Sequence, residues 1–482
     1  MKRIALVSTA VLLAACSSKK DDGVGPLNND AGSDTAASVV PGSFTLEVPS
    51  TDSIESVYGD PGALSADKGA VLKCAKDKDL TKEQLQAAAK DYTGKAFTSG
   101  ARVYRVLYRT ERGDDAKTPG YSSAVVYVPD TPRVAVGSAT LLPVIVSSHG
   151  TKGQGGECAP SKGDTDAYMN YPLVGSGYVV IAPDLAGYAN YGKPNNPPSA
   201  YASVSDVGKS TLDAARALRK MFSASVSDKV IIVGHSQGGG TALGALSLSE
   251  SYGSGGTLAG LVAYAPLWLS QASWGALPVR ASDYPLSTSP LVNSVAIWYT
   301  YTHGELLDGP GHGGDVFHPA KREAVKNYVA TACEPNLDPS ALGIDIRDVY
   351  DQAFIESVSQ AAALGFGCAD ALCEKWKARF AADRPHFTGA VAQVPILLPY
   401  GGKDTTIAPD RMACVLDRLD ADKANYKLCF EPEAAHTPVV HMRADYINDW
   451  IAARTLGAAE PAACAGQFTR PRCATPPPNE WP

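Results

Sequence analysis

The run Val230-Ile231-Ile232-Val233-Gly234-His235-Ser236-Gln237-Gly238-Gly239-Gly240 constrains the fold more than any other stretch of the chain. Its four leading β-branched residues suit a central parallel strand covered on both faces. The strand feeds Gly-x-Ser-x-Gly, and Ala242-Leu243-Gly244-Ala245-Leu246 continues as a helix, so Ser236 falls on a tight strand-to-helix turn. Gly234 and Gly238 leave room where a Cβ would crowd that turn. A serine hydroxyl is a poor nucleophile until a base removes its proton, so the fold must bring a histidine and an acid from elsewhere. The plainer alternative, a Gly-rich loop with an exposed serine, does not explain the strand before the turn and the helix after it.

Both partners are found downstream, each beyond a strand. Val394-Pro395-Ile396-Leu397-Leu398-Pro399-Tyr400 reads as a buried strand running into Gly401-Gly402-Lys403-Asp404. Asp404 therefore lies just past a strand's carboxyl end, where open α/β sheets build their sites. Asp410 and Asp417 fall at or inside the helix that begins near Pro409 and read as a solvated helix start and face. Tyr426 to Phe430 alternates as a strand, and the loop Glu431 to His436 precedes the last amphipathic helix, which makes His436 the candidate base. His441, a turn inside that helix, is its rival and reads as a packing or solvent-facing residue. The chain order Ser236, Asp404, His436 is that of an α/β-hydrolase and differs from both protease orders.

A tetrahedral intermediate needs N–H donors aimed at its oxyanion. The strand Pro143 to Ser148 runs into His149-Gly150-Thr151, the usual place for one donor, and the other would be the Gln237 N–H. Thr151 and Gln237 are thus the candidate oxyanion hole, with His149 bracing the turn. Such chemistry calls for no cofactor.

The chain has 482 residues, 45% hydrophobic and 19% charged, enough to bury one large core with a cap. A formal charge of −7 with no Lys/Arg cluster excludes a nucleic-acid partner. Lys2-Arg3, the apolar Ile4 to Leu12 and Leu13-Ala14-Ala15-Cys16 resemble a bacterial lipobox, which implies cleavage before Cys16, lipidation of that residue, and an exported protein anchored to the cell envelope. Residues 1–15 are then a lipoprotein signal peptide and residues 16–42 a flexible tether; the apolar stretch is too short for a transmembrane helix.

Ten cysteines in an exported chain suggest disulfides, and setting Cys16 aside leaves nine, one of them odd. Cys414 with Cys429 would brace the loop carrying His436, and Cys464 with Cys473 would staple the tail. Cys158 is offered Cys333, and Cys368 and Cys373 either pair locally or sit reduced. Cys74 is the candidate free thiol.

Elsewhere Leu80 to Tyr92 reads as a helix with Thr81 and Gln84 at capping-box spacing. Strands follow at Val103 to Arg109, Ser123 to Val128 and Tyr178 to Asp184, then a helix from Val204 to Phe222 and a strand at Leu261 to Ala265. The segment before the strand of Asp404 is far longer than a βα connection needs. Residues 43–265 and 392–457 are expected to form the core, 266–391 an inserted, mainly helical cap, and 458–482 a Pro-rich tail. The cap's aromatics, Trp268, Trp274, Tyr284, Trp298, Tyr299 and Tyr301, are expected to supply an apolar acyl pocket. His303, His312, Asp315 and His318 fit no metal-binding spacing and read as satisfied loop residues.

Ser148-His149-Gly150-Thr151, Cys158-Ala159-Pro160-Ser161, Asp184-x-x-Gly187, Asp213-Ala214-Ala215-Arg216 and Gly234-His235-Ser236-Gln237-Gly238-Gly239 together resemble the secretory lipase family typified by Candida lipases. The resemblance covers about Ser148 to Arg454. It implies lipase or carboxylesterase activity on apolar acyl esters or lipids, a helical cap between the sixth and seventh core strands, catalytic roles for Ser236, Asp404 and His436, and structural roles for Asp184 and Asp213. The lipobox, tether, Pro-rich end and cap depart from it. The alternatives are an acyltransferase or peptidase on the same fold, or a non-catalytic surface binding protein; three intact residues weigh against the last.

Overall fold

The computed structural model describes residues 44–89, 92, 94–134, 141–164, 166–188, 196–268, 277–278, 281–359 and 367–464. The expected signal peptide and tether (residues 1–42, with Cys16), Trp274 and most of the expected tail lie outside these.

Nine strands form one mixed sheet: β1 (Val71–Leu80), β2 (Ala101–Glu111), β3 (Pro119–Pro129), β4 (Leu142–Ser148), β5 (Val179–Pro183), β6 (Val226–His235), β7 (Thr257–Tyr264), β8 (Ile396–Gly401) and β9 (Tyr426–Glu431). Their spatial order is β1-β2-β3-β5-β4-β6-β7-β8-β9. The first three strands run antiparallel, β3 pairs β5 antiparallel, and every pairing from β5 to β9 is parallel. The parallel part is built from residues that tolerate burial on both faces: Val144 to Val146, Val179 to Ile181, Val230 to Val233 and Leu261-Val262 are all essentially inaccessible. Because these strands share a direction, Ser148, His235, Tyr264, Gly401 and Glu431 end along one edge, and the loops leaving that edge carry the candidate site.

Helices α1 (Ile54–Val57), α2 (Lys82–Ala88), α3 (Ala167–Gly175), α4 (Val204–Met221) and α5 (Gln237–Tyr252) precede the insertion. The expected capping box at α2 is present: Thr81 Oγ1 accepts from the Gln84 N–H and the Gln84 side chain accepts from the Thr81 N–H. The helix is shorter than its pattern suggests, because Leu80 is the last residue of β1 and Ala89 is already the C-cap. β1 has no clean alternation, with Lys and Asp scattered through it, which hides it in the sequence. Its presence puts the long insertion between β7 and β8.

The insertion contains α6 (Pro290–His303), α7 (Arg322–Thr331) and α8 (Ala371–Ala382). It has its own hydrophobic cluster, in which Tyr284, Trp298, Tyr299 and Tyr301 are buried alongside Phe317, Tyr350 and Trp376. Tyr299 stacks on Phe380 and Tyr301 packs against Phe317 inside this cluster, whereas Trp298 packs on Tyr201, which lies outside the insertion and whose hydroxyl meets that of Thr151. Trp268 belongs to the main core instead. After β8 come α9 (Pro409–Ala421), α10 (Pro438–Met442) and α11 (Ala444–Thr455).

Disulfides join Cys158 to Cys333, Cys368 to Cys373 and Cys429 to Cys464, and Cys74 is free and buried. The first is the pair expected, and the second is one of the two alternatives open for Cys368 and Cys373. The pairings Cys414 with Cys429 and Cys464 with Cys473 are corrected: β9 carries Cys429 to within 5.2 Å (Cα–Cα) of Cys464 in the chain that follows α11. Cys414 is also disulfide-bonded, with a partner outside the described residues. These bridges fit an exported protein. No helix among the described residues is long and apolar enough to cross a membrane.

Candidate active site

Ser236 follows directly on β6 and caps α5 with φ 58° and ψ −119°, a conformation that non-glycine residues rarely hold without enforcement. Enforcement is visible on both sides. The Ser236 N–H donates to the Tyr264 carbonyl at 2.9 Å, and its own carbonyl accepts from Leu267 N at 2.8 Å. A Cβ on Gly234 would land on the Gly238 carbonyl, and one on Gly238 would land on the Ser148 carbonyl. The two glycines therefore let the Ser236 turn and the loop after β4 press together.

Asp404 and His436 meet. The His436 Nδ1–H donates to Asp404 Oδ2 at 2.7 Å, with the carboxylate fully inaccessible and the imidazole 16% exposed. The other carboxylate oxygen, Oδ1, accepts from the N–H groups of Thr406 at 2.9 Å and Ile407 at 2.8 Å. Both Asp404 oxygens are thus occupied, and the ring orientation follows. The loops that deliver the pair are tied together, Gly402 N donating to Glu431 O at 2.8 Å and Lys403 N to Ala434 O at 3.0 Å. Asp410 and Asp417 lie on α9, half-buried, and it is Asp404 that His436 Nδ1 meets.

Among the described residues Ser236 Oγ makes no hydrogen bond. The connection between the Ser236 turn and the His436 loop runs instead through His235, whose Nε2–H donates to the His436 carbonyl at 3.0 Å.

A Cβ on Gly150 would stand 3.7 Å from Ser236 Cβ, so the loop after β4 abuts Ser236. Thr151 follows, its hydroxyl 2.8 Å from that of buried Tyr201. Gln237 is the first residue of α5, where an N–H has no acceptor within the helix. Neither the Thr151 nor the Gln237 N–H donates to a partner among the described residues. The same loop is clamped to the insertion by the Cys158–Cys333 bridge and by Glu334 N donating to Lys152 O at 3.0 Å.

His149 is buried, with Nδ1 2.6 Å from Gly150 O and Nε2 3.2 Å from Asp184 O, so it braces the turn. Asp184 accepts from the Ser161 N–H at 2.7 Å, from the Ser161 hydroxyl and from the Ser123 hydroxyl at 2.5 Å, which anchors the Cys-Ala-Pro-Ser element beneath the site. Burial raises its pKa. Asp213 accepts from Thr110, Tyr252 and Arg216. His441 is buried and stacks on Tyr168, ring centroids 6.1 Å apart. In the insertion His303 lies 2.7 Å from Asp383, His312 2.8 Å from Asp315, and His318 accepts from Ala320 N at 3.3 Å. No group of metal-ligating side chains is found among the described residues.

Sequence reasoning missed His235 and Tyr168 as neighbours of the site. Residue 235 is the variable position of the Gly-x-Ser motif, and its partners lie 67 and 201 residues away.

With the elbow turn, the buried acid and histidine, and the flanking loops at one end of a largely parallel sheet, this is an α/β hydrolase. The chain belongs to the alpha/beta hydrolase family, whose model matches residues 166–450, more than half its length. It is similar in structure to a putative hydrolase from Legionella pneumophila (14% identity, 80% of this chain and 98% of that one, TM-score 0.60). It is likewise similar to the rice cell wall degrading esterase LipA from Xanthomonas oryzae (17%, 80% and 97%, 0.57) and to Candida antarctica lipase A in its closed state (15%, 83% and 84%, 0.54). At these identities the likeness is one of fold. No curated protein sequence matches the chain.

Proposed function

We propose that the protein is a carboxylic ester hydrolase of apolar acyl chains that works through an acyl-enzyme on Ser236. The observation that carries this reading is the 2.7 Å hydrogen bond from His436 Nδ1 to a fully buried Asp404, set at the same sheet edge as a serine held at positive φ. With Nδ1–H given to Asp404, the neutral ring keeps its lone pair on Nε2, where a base for Ser236 needs it. Ser236 Oγ attacks the ester carbonyl as its proton passes to His436. The oxyanion is received by the Thr151 and Gln237 N–H groups, and the positive end of α5 adds to their field. His436 then protonates the departing alkoxide, and water repeats the cycle on the acyl-enzyme. An ester class is supported by the esterase and lipase named among the structural neighbours. The lipobox-like Leu13 to Cys16 supports attachment of the exported protein to a membrane through lipidated Cys16.

The test is a p-nitrophenyl ester series from acetyl to octanoyl with protein lacking residues 1–42. An apolar acyl site gains about 0.8 kcal/mol per buried methylene, about fourfold in kcat/KM, until the site is full. A steady decline from acetate onward would remove the apolar-acyl part of the proposal, and no turnover of any ester would remove it entirely.

A further inference from the structure

We propose that His235 is a positioning residue whose Nε2–H, given to the His436 carbonyl oxygen, holds the base-bearing loop against the nucleophile turn. The inference rests on His436 being the base. His235 is the last residue of β6, paired with Tyr264 of β7, so it sits on the rigid sheet, whereas His436 lies in the turn between β9 and α10. The imidazole of His436 is fixed at Nδ1 by Asp404, but that bond alone leaves the ring free to swing with its main chain. The 3.0 Å bond from His235 Nε2 to the His436 carbonyl supplies a second fixed point, one residue from Ser236 itself.

The tautomer follows from the partners. A carbonyl only accepts, so His235 must carry its hydrogen on Nε2, and a neutral ring then has an acceptor at Nδ1. The Tyr168 hydroxyl stands 3.0 Å from that Nδ1 and can donate to it. Tyr168 is held in turn by stacking on His441. Burial, and then the neighbouring His436, Lys152 and His441, hold the His235 pKa well below the usual histidine range, which keeps the ring in this neutral form. The His235 and His436 rings pack with centroids 4.5 Å apart, so a displacement of one carries the other.

The experiment compares His235→Phe, His235→Gln and Tyr168→Phe with His436→Ala in ester hydrolysis, and measures labelling of Ser236 by a fluorophosphonate. Loss of the hydrogen bond in His235→Phe should lower kcat about 100-fold, the scale of an ångström misplacement, with KM changed less than about threefold. The labelling rate should fall in step, while the final stoichiometry stays at one per chain. His235→Gln, which keeps an N–H donor near the Nε2 position, should recover most of kcat. Wild-type kcat in His235→Phe, or equal losses in Phe and Gln, overturns the proposal. If His235→Phe does not fold, Tyr168→Phe decides: loss of the donor to Nδ1 should lower kcat about three- to tenfold at unchanged KM, and an unchanged kcat overturns it. His436→Ala separates the two claims, since activity surviving there would refute the base assignment, whatever His235 does.

Discussion

Asp404→Asn probes the site with almost no change of shape, and the surroundings of Asp404 decide which way the new amide must face. Oδ1 accepts two main-chain N–H groups, from Thr406 and Ile407, and only an oxygen can stay there. The amide nitrogen must then point at His436 Nδ1. Two donors cannot share that contact, so Nδ1 becomes the acceptor and the imidazole hydrogen moves to Nε2, the nitrogen that should take the Ser236 proton. The ring stays in place but in the wrong tautomer. A triad disabled in this way loses about 10⁴ in kcat, or about 5 kcal/mol of transition-state stabilisation. The two hydrogen bonds to Oδ1 survive, so urea unfolding should shift by no more than about 1 kcal/mol. The assay is p-nitrophenyl butyrate hydrolysis at neutral pH beside a urea melt. Turnover within about tenfold of wild type in a folded Asn variant would refute the chain of reasoning from carboxylate to tautomer to base.

Arg112 and Asp206 form a fully buried pair, Nε to Oδ1 at 2.8 Å and Nη2 to Oδ2 at 2.9 Å; Asp206→Asn should cost about 3–5 kcal/mol by urea denaturation, because the guanidinium is left uncompensated. Burial pushes the Asp206 carboxyl up but Arg112 and the hydrogen bonds outweigh it, leaving the pKa below its ordinary value, so this stability is present above the unfolded-state pKa and lost as pH falls through the folded one. The gap between wild type and Asn variant should therefore close in strong acid; a gap that persists there would contradict the linkage. Burial pushes the Cys74 thiol up to about 11, so iodoacetamide at pH 8 should leave it unlabelled in the folded protein and alkylate it in guanidinium, whereas rapid labelling of the native state would contradict its environment.

The parallel core was legible because runs such as Val230 to Val233 and Val144 to Val146 carry their burial in their composition. Ser236 and Asp404 could be located at strand ends because each follows such a run, and His436 beyond a strand because Tyr426 to Phe430 alternates; a strand end is a local feature. What composition could not carry was pairing at a distance. Cys429 has the same local surroundings whether its partner is Cys414 or Cys464, and only the path of the chain after α11 selects the latter. The aromatic wealth of the insertion was visible, but not which rings meet: Trp376 packs against Phe354 and Phe380 within the insertion, and Trp298 against Tyr201 outside it. His235 was invisible as a contact of His436 because the fold alone brings those residues together.

The account turns on Ser236 carrying the acyl group. Enzyme mixed with p-nitrophenyl butyrate, quenched in acid within the first turnovers and digested, should give a butyryl adduct on the peptide containing Ser236. Ser236→Ala should give no adduct and a kcat lower by about 10⁴ or more. An adduct on another residue, or Ser236→Ala turnover within about tenfold of wild type, would contradict it.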